Sequence, residues 1–215
     1  MKPRPRIFLA DDHTMLLGAF QRLLESRYDI VGTACDGRAL LDAAETARPD
    51  LVVLDVSMPR LNGLDAAAQL RRKMPAVKSV FLTVNEDRDV AREAIRLGAS
   101  GYLLKSSAAE ELFTAIELAL AGKTYVTPLI TKGESLGVFL GHAAKPAVER
   151  LTARQREVLQ LLAENRAMKE IADLLHVTPR TVAFHKYTIM EQLGLKTNTD
   201  LLQYAIEHHM LSSGI

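Results

Sequence analysis

The sequence predicts an α/β domain with a doubly wound, five-stranded parallel sheet, followed by a small all-α domain of four helices. From residue 6 to about 125, five short apolar runs alternate with segments whose apolar residues repeat every 3.6 positions. The alternation then stops, and after about residue 147 only helical patterns follow. The 215 residues, of which 48% are hydrophobic, are enough to build two cores.

The five apolar runs are expected to be buried strands, because helices cover both faces of a parallel sheet. These strands are predicted at 6–11, 30–35, 51–56, 79–83 and 101–105. Each is followed by an amphipathic helix, most clearly in the fifth helix, where one apolar face contains Ala109, Leu112, Phe113, Ile116, Ala119 and Leu120. Cys35, at the end of the second strand, is expected to pack in the core.

Residues 126–147 contain turn formers without a sustained period and are predicted to link a domain at 1–125 to one at 148–215. The apolar patch at 136–140 is expected to form one helical turn docked on a neighbour. In the second domain, Thr152 and Gln155 fit a capping box at the start of the first helix. The third helix is expected to begin at Thr178 and Pro179 and to end at Gly194, and the fourth to run from about 200 to 210.

The overall charge does not indicate a nucleic-acid partner. The chain has 27 basic and 26 acidic residues, and residues 147–215 contain eight of each. A single cysteine excludes an intramolecular disulfide and a multi-cysteine metal cluster. The apolar run near the start is too short for a signal peptide, and no stretch of 18 apolar residues follows. We therefore expect a soluble cytoplasmic protein with no membrane partner.

Three acids follow two of the predicted strands: Asp11 and Asp12 the first, and Asp55 the third. If the strand order is 2-1-3-4-5, these carboxylates converge at the edge where doubly wound sheets bind ligands. Because clustered carboxylates repel one another, they favour a hard cation such as Mg²⁺. With Thr83 after the fourth strand and Lys105 after the fifth, the set is typical of phosphoryl transfer, in which a carboxylate attacks phosphorus.

This first domain resembles the receiver domain of two-component response regulators over residues 6–122. The matching motifs are Ala10-Asp11-Asp12-His13, Val53-Leu54-Asp55-Val56-Ser57-Met58-Pro59, Asn62-Gly63, Leu82-Thr83, and Gly98-Ala99-Ser100-Gly101-Tyr102-Leu103-Leu104-Lys105. The resemblance implies that Asp55 accepts a phosphoryl group from the phosphohistidine of a sensor histidine kinase. It also implies that Tyr102 is the aromatic residue whose ring turns inward when the Thr83 hydroxyl moves toward the phosphate.

The receiver resemblance further implies a complete set of ligands around Asp55. Asp12 and Asp55 would bind Mg²⁺ directly, together with the main-chain carbonyl of Ser57, and Asp11 would act through water. Thr83 and Lys105 would hold the oxygens of the transferred phosphoryl group.

The second domain resembles the LuxR-type helix-turn-helix over about residues 150–210. The matching residues are Leu151 to Leu159, Met168 to Ala172, Val177 to Val182, His185-Lys186 and Leu193-Gly194-Leu195. The cations and hydroxyl near the recognition helix are expected to hold DNA phosphates, and these are Lys169, Arg180, Thr181 and Lys186. The resemblance places Ala183, Phe184 and Tyr187 toward the bases, and makes the fourth helix, with Leu201, Leu202, Ala205 and Ile206, the contact of a DNA-bound homodimer.

Together the two resemblances imply a response regulator of the NarL/FixJ subfamily, a transcription factor controlled by phosphorylation. It would not be an enzyme beyond self-phosphorylation and autodephosphorylation at Asp55. Two alternatives remain open from the residues. One is a Mg²⁺-dependent phosphoaspartyl hydrolase, although Val56-Ser57-Met58-Pro59 after Asp55 offers no general acid. The other is a protein-binding regulator whose helical domain does not bind DNA.

Overall fold

Six parallel strands form one sheet in the order β2-β1-β3-β4-β5-β6. The structure, a computed structural model, describes residues 3–107, 109–141 and 151–211, so the boundary predicted near residue 147 lies outside them. The strands are β1 (Arg6–Ala10), β2 (Asp29–Ala34), β3 (Leu51–Leu54), β4 (Lys78–Thr83), β5 (Gly101–Leu104) and β6 (Tyr125–Val126). The doubly wound fold and the order of the first five strands are therefore as predicted.

The sixth strand is an addition to the predicted five. It has two residues, which pair with Gly101 and Tyr102 of β5. Two residues are too few to show a hydrophobic period, and the pairing comes from the neighbouring backbone at the sheet edge.

Helices cover both faces of the sheet. They are α1 (Thr14–Leu24), α2 (Gly37–Ala47), α3 (Gly63–Lys73), α4 (Arg88–Arg96) and α5 (Ala109–Leu120). One hydrophobic cluster joins α2, α3 and α4 to the sheet, and a second joins α1 and α5 to its opposite face. The parallel strands are consequently buried on both sides, which explains their continuous apolar runs.

The prediction for Cys35 is wrong, because its side chain is exposed. Strand β2 lies at the edge of the sheet and ends at Ala34, one residue before the cysteine. The chain then turns into α2, whose first amides are capped by the buried carboxylate of Asp36. An apolar run that continues past the last paired residue does not indicate burial.

The segment after β6 forms two short helices, α6 (Pro128–Thr131) and α7 (Leu136–Gly141). As expected for the patch at 136–140, α7 docks on a neighbour. Phe139 is fully buried, and the guanidinium groups of Arg88 and Arg92 on α4 lie 5.4 and 4.8 Å from its ring centre. Arg92 also donates to the Phe139 carbonyl at 2.8 Å. This segment therefore covers α4 of the first domain.

Four helices form the second core: α8 (Ala153–Ala163), α9 (Met168–Leu175), α10 (Pro179–Leu193) and α11 (Asn198–Glu207). The predicted caps are confirmed at Thr152 with Gln155, at Thr178 and at Gly194, whose φ of 70° suits glycine. Helix α11 begins two residues earlier than predicted, because Thr197 caps it. None of the helices in the described ranges is long and apolar enough to cross a membrane.

Replacing Phe139 with alanine is expected to undock α7 from α4. Removing a fully buried phenylalanine side chain costs about 3–5 kcal/mol of stability. Because a six-residue helix is not stable on its own, α7 should detach from α4 when this contact is lost. Hydrogen exchange of the amides of residues 136–141 should become much faster. Leu129→Ala, an exposed position on α6, is the control and should leave this exchange unchanged. Equal protection in both variants would contradict the anchoring role.

Candidate metal centre and nucleic-acid interface

The three predicted acids meet at the carboxyl end of the sheet. The first two follow β1 and Asp55 follows the adjacent β3, whose register is fixed by the Asp55 amide donating to the Ala10 carbonyl at 2.9 Å. Ligand atoms of Asp11, Asp12, His13 and Asp55 all lie within 4.8 Å of one another. Both Asp11 and Asp55 are buried, so their charges are poorly screened by water. The cluster is a set of hard oxygen ligands with one imidazole.

Lys105 neutralises part of this charge. Its Nζ lies 2.6 Å from Asp55 Oδ2 and 2.7 Å from Asp11 Oδ2. Burial alone would lower the pKa of the Lys105 ammonium, but the carboxylates of Asp55 and Asp11 outweigh it and raise the pKa above its usual value. Lys105 therefore stays charged at neutral pH and holds the two strand ends together.

His13 is a member of the cluster that our sequence reasoning did not assign a role. Its Nδ1 lies 2.9 Å from Asp12 Oδ1 and 3.4 Å from Asp11 Oδ1, and its side chain is half-exposed. The available signal was its position directly after two acids at a strand end, where a short turn brings the three side chains together.

Thr83 and Tyr102 are connected through a residue that the sequence did not single out, Asn85. The backbone amide of Asn85 donates to the Thr83 hydroxyl at 3.2 Å, and the Tyr102 hydroxyl donates to the backbone carbonyl of Asn85 at 2.9 Å. The side chains of Thr83 and Tyr102 are fully buried, so the Tyr102 ring points inward. Burial, followed by the charge of Asp55, raises the pKa of Tyr102, which keeps its hydroxyl protonated as a donor.

Ser57 lies in a tight loop after Asp55. Its amide donates to Asp55 Oδ1 over 3.4 Å, and its side chain is buried. The loop closes where the Gly63 amide donates to the Val56 carbonyl at 2.7 Å. A Cβ on Gly63 would lie 1.9 Å from the Asp55 carbonyl oxygen, so this position requires glycine for lack of space.

The recognition helix α10 presents its predicted reading face to solvent. Phe184 and Tyr187 are 65% and 67% exposed, and Ala183 is partly exposed. Two exposed aromatic side chains on one helix face indicate a contact surface, since the helical core does not use them. The predicted base-facing residues therefore share one accessible surface.

Three of the four predicted phosphate-binding residues lie on α10, and the fourth, Lys169, lies on α9, which packs against α10. Arg180 and Lys169 are exposed, and Lys186 is partly exposed. The hydroxyl of Thr181 lies 2.9 Å from that of Thr178, so it already takes part in the cap of α10. The three cations are accessible to the phosphates of DNA. The Thr181 hydroxyl is already hydrogen-bonded to Thr178 at the start of α10.

The last helix divides its apolar residues between two surfaces. Leu201 and Ala205 are buried in the helical core, and Leu202 and Ile206 are 40% and 57% exposed. The exposed pair is one helical turn apart and forms a small apolar strip. Of the four residues predicted for a dimer contact, only Leu202 and Ile206 are accessible.

Family models match both parts of the chain. Residues 7–117 match the response regulator receiver domain, and residues 149–205 match the bacterial regulatory proteins of the luxR family. The chain is 31% identical to the transcriptional regulatory protein MctR of Rhizobium johnstonii, over 98% of this chain and 97% of that one. It is 32% identical to the oxygen regulatory protein NreC of Staphylococcus carnosus, over 96% of this chain and 99% of that one.

A solved structure shares the same two-part architecture. RcsB of Salmonella enterica serovar Typhimurium, solved bound to promoter rprA in the presence of the phosphomimetic BeF₃⁻, is similar with a TM-score of 0.59. The identity is 25%, and the match covers 93% of this chain and 98% of that one.

Gly63→Ala is expected to distort the loop after Asp55 and to lower the free energy of unfolding by about 1–3 kcal/mol, as overpacking against backbone does. Gly18→Ala is the matched control, because a Cβ there meets nothing within 4 Å on the exposed face of α1. It should raise the free energy of unfolding by about 0.4–1 kcal/mol. Urea denaturation measures both. A neutral or stabilising Gly63→Ala would contradict the close approach.

Proposed function

This chain belongs to the response regulators that join a receiver domain to a LuxR-type DNA-binding domain, and we propose that Asp55 is its phosphoryl acceptor. The chain is thus a DNA-binding transcription regulator controlled by phosphorylation. The observation that carries this proposal is the buried contact of Asp55 with Lys105 inside the acidic cluster. A carboxylate in that position is oriented by its neighbours and faces a cation that can also bind an incoming phosphoryl oxygen. A sensor histidine kinase is the donor expected for this family.

The transfer itself needs only the Asp55 carboxylate as nucleophile. One of its oxygens forms a bond to phosphorus while the bond from phosphorus to the histidine nitrogen of the kinase breaks, and the nitrogen keeps the electron pair. The ammonium of Lys105, already between Asp55 and Asp11, is available to neutralise charge on the phosphoryl oxygens. The product is an acyl phosphate on Asp55.

The acidic cluster fits Mg²⁺, because it offers closely spaced carboxylate oxygens. Asp11, Asp12, Asp55 and the carbonyl of Ser57 would hold the ion, which when bound neutralises carboxylate and phosphoryl charge. The fold supports this role, since β1 and β3 are neighbours and bring the acids together.

Asn85 supplies a route from the acceptor to Tyr102. If the Thr83 hydroxyl turns to a phosphoryl oxygen, it gives up its contact with the Asn85 amide, and the carbonyl of Asn85 is what holds the Tyr102 hydroxyl. The Tyr102 carbonyl in turn accepts from the Thr127 amide at 3.0 Å, at the start of α6. Phosphorylation would therefore bias the segment that covers α4.

DNA binding by the helical part would depend on a local surface and on two copies. Residues 147–215 are neutral overall, so the charged phosphate contacts would come from the local cations Lys169, Arg180 and Lys186, beside the Thr181 hydroxyl, and one domain would bind weakly. The exposed Leu202 and Ile206 of α11 would pair with those of a second copy. We therefore expect a homodimer on double-stranded DNA with two half-sites.

Asp55→Asn is expected to abolish stable phosphorylation, since an amide cannot form the acyl phosphate. The full chain with Mg²⁺ and acetyl phosphate should gain one phosphoryl group in its intact mass, and Asp55→Asn should gain none. Asp42→Asn, on α2 away from the cluster, serves as the control and should be phosphorylated normally. Repeated turnover of small phosphate esters by the wild type would instead support the hydrolase alternative.

Lys186→Ala is expected to weaken binding to a DNA duplex selected from random sequence and to reduce the slope of log affinity against log salt by about 1, as loss of one phosphate contact does. Binding measured at several salt concentrations tests this. Lys123→Ala, after α5, removes the same charge far from the helical part and should change neither quantity. Absence of duplex binding by the wild type, phosphorylated or not, would support a protein-binding regulator.

A further inference from the structure

Helix α8 of the DNA-binding domain lies directly on the loop that follows Asp55. This acceptor loop, residues 56–62, connects β3 to α3. Gln160 of α8 is fully buried against it. The Gln160 side chain donates from Nε2 to the Met58 carbonyl at 2.8 Å, and its Oε1 accepts from the Asn62 amide at 2.8 Å. One side-chain amide therefore binds both halves of the loop.

Polar contacts surround Gln160 on both sides. Glu157 accepts from Arg38 of α2 and Gln69 of α3, each at 2.7 Å. Arg156 donates to the buried carboxylate of Asp65 at 2.6 Å. These contacts fix α8 across α2 and α3, so that Gln160 has a defined position over the acceptor loop.

The acceptor loop itself is held in a constrained conformation. Arg60 has a φ of 64°, a value that residues other than glycine rarely adopt. Its amide donates to Glu164 of α8 at 2.8 Å, and its guanidinium lies 3.0 Å from Asp36. Such a conformation persists where surrounding contacts determine it, and part of those contacts comes from the DNA-binding domain.

We propose that Gln160 is a positioning residue of the phosphoryl-acceptor site, contributed by the DNA-binding domain, that holds loop 56–62 in the conformation observed with α8 docked. This inference rests on the proposed role of Asp55. Ser57 directly precedes Met58, so if the Ser57 carbonyl turned toward a bound cation, the Met58 carbonyl that Gln160 binds would move with it. In this proposal the phosphorylated loop fits α8 less well, so phosphorylation weakens the contact of α8. Because coupling between two sites is reciprocal, loss of that contact favours phosphorylation to the same extent.

The contact acts on the acceptor site without covering the surface that reads DNA. Phe184 and Tyr187 of α10 remain exposed while α8 is docked. The interface therefore controls how readily Asp55 is modified, which differs from a simple block of the recognition helix.

Gln160→Met tests this assignment, because methionine fills the same volume without either hydrogen bond. Gln203→Met is the matched control: Gln203 is exposed on α11 and, like Gln160, donates to a glutamate four residues later. Beryllofluoride with Mg²⁺, titrated into the full chains by calorimetry, is the probe. We expect Gln160→Met to bind it about fivefold more tightly or better, within the usual range of coupling between sites, and Gln203→Met to match the wild type.

A second variant guards against damage to the helical core. Arg38→Ala, on the receiver side, removes the ion pair with Glu157 and should shift the beryllofluoride affinity in the same direction by a smaller factor. Hydrogen exchange of residues 151–164 should rise in the wild type when beryllofluoride binds, and should already be raised in Gln160→Met. Equal or weaker beryllofluoride binding by Gln160→Met would overturn the inference. If the wild type binds no beryllofluoride and takes no phosphoryl group, the proposed function fails first.

Discussion

The mutual repulsion of carboxylates at the ends of β1 and β3 is the constraint around which the receiver is organised. The two adjacent strands bring Asp11, Asp12 and Asp55 within a few ångströms of one another, where burial leaves their charges poorly screened. Lys105, at the end of β5, supplies the compensating charge and so ties the fifth strand to the first and third. The negative charge of three carboxylates exceeds the positive charge of Lys105, so the site favours a further cation. A phosphoryl group would change this charge balance, which involves the ends of β1, β3 and β5.

Two separate sets of contacts connect the acidic cluster to the rest of the protein. One passes from Thr83 through the backbone of Asn85 to Tyr102, and then through the pairing of β5 with β6 to the segment that packs Phe139 against α4. The other passes along the acceptor loop to Gln160. In the proposed switch, the first set would depend on side chains that change partners, and the second on backbone groups that move with the loop. Both end on elements that connect the receiver to the DNA-binding domain.

Much of the fold and of the site could be predicted because both follow from local patterns. Continuous apolar runs indicated the strands, and a known strand order then placed Asp11, Asp12 and Asp55 at one edge. Caps such as Thr152 with Gln155 marked the helix starts directly. What could not be predicted depends on contacts between distant segments: Gln160 meets Met58 across 102 residues, and Phe139 is buried because its ring joins the hydrophobic cluster that includes α4, where two guanidinium groups also lie close to it. The hydrophobic pattern of one segment does not indicate which distant segment it will contact.

The neutral charge of the helical domain bears on how DNA binding can be regulated in the docked chain. A strongly basic domain would bind DNA whenever its recognition helix was accessible, whereas this one carries eight acids against eight bases in residues 147–215. In the docked chain the aromatic face of α10 is already exposed, so accessibility alone does not separate an inactive from an active form. In the proposed homodimer, two copies pair through the apolar strip of α11, which would double the phosphate contacts and set the half-site spacing. Control by phosphorylation would then act on assembly, because a single neutral domain would bind DNA only weakly.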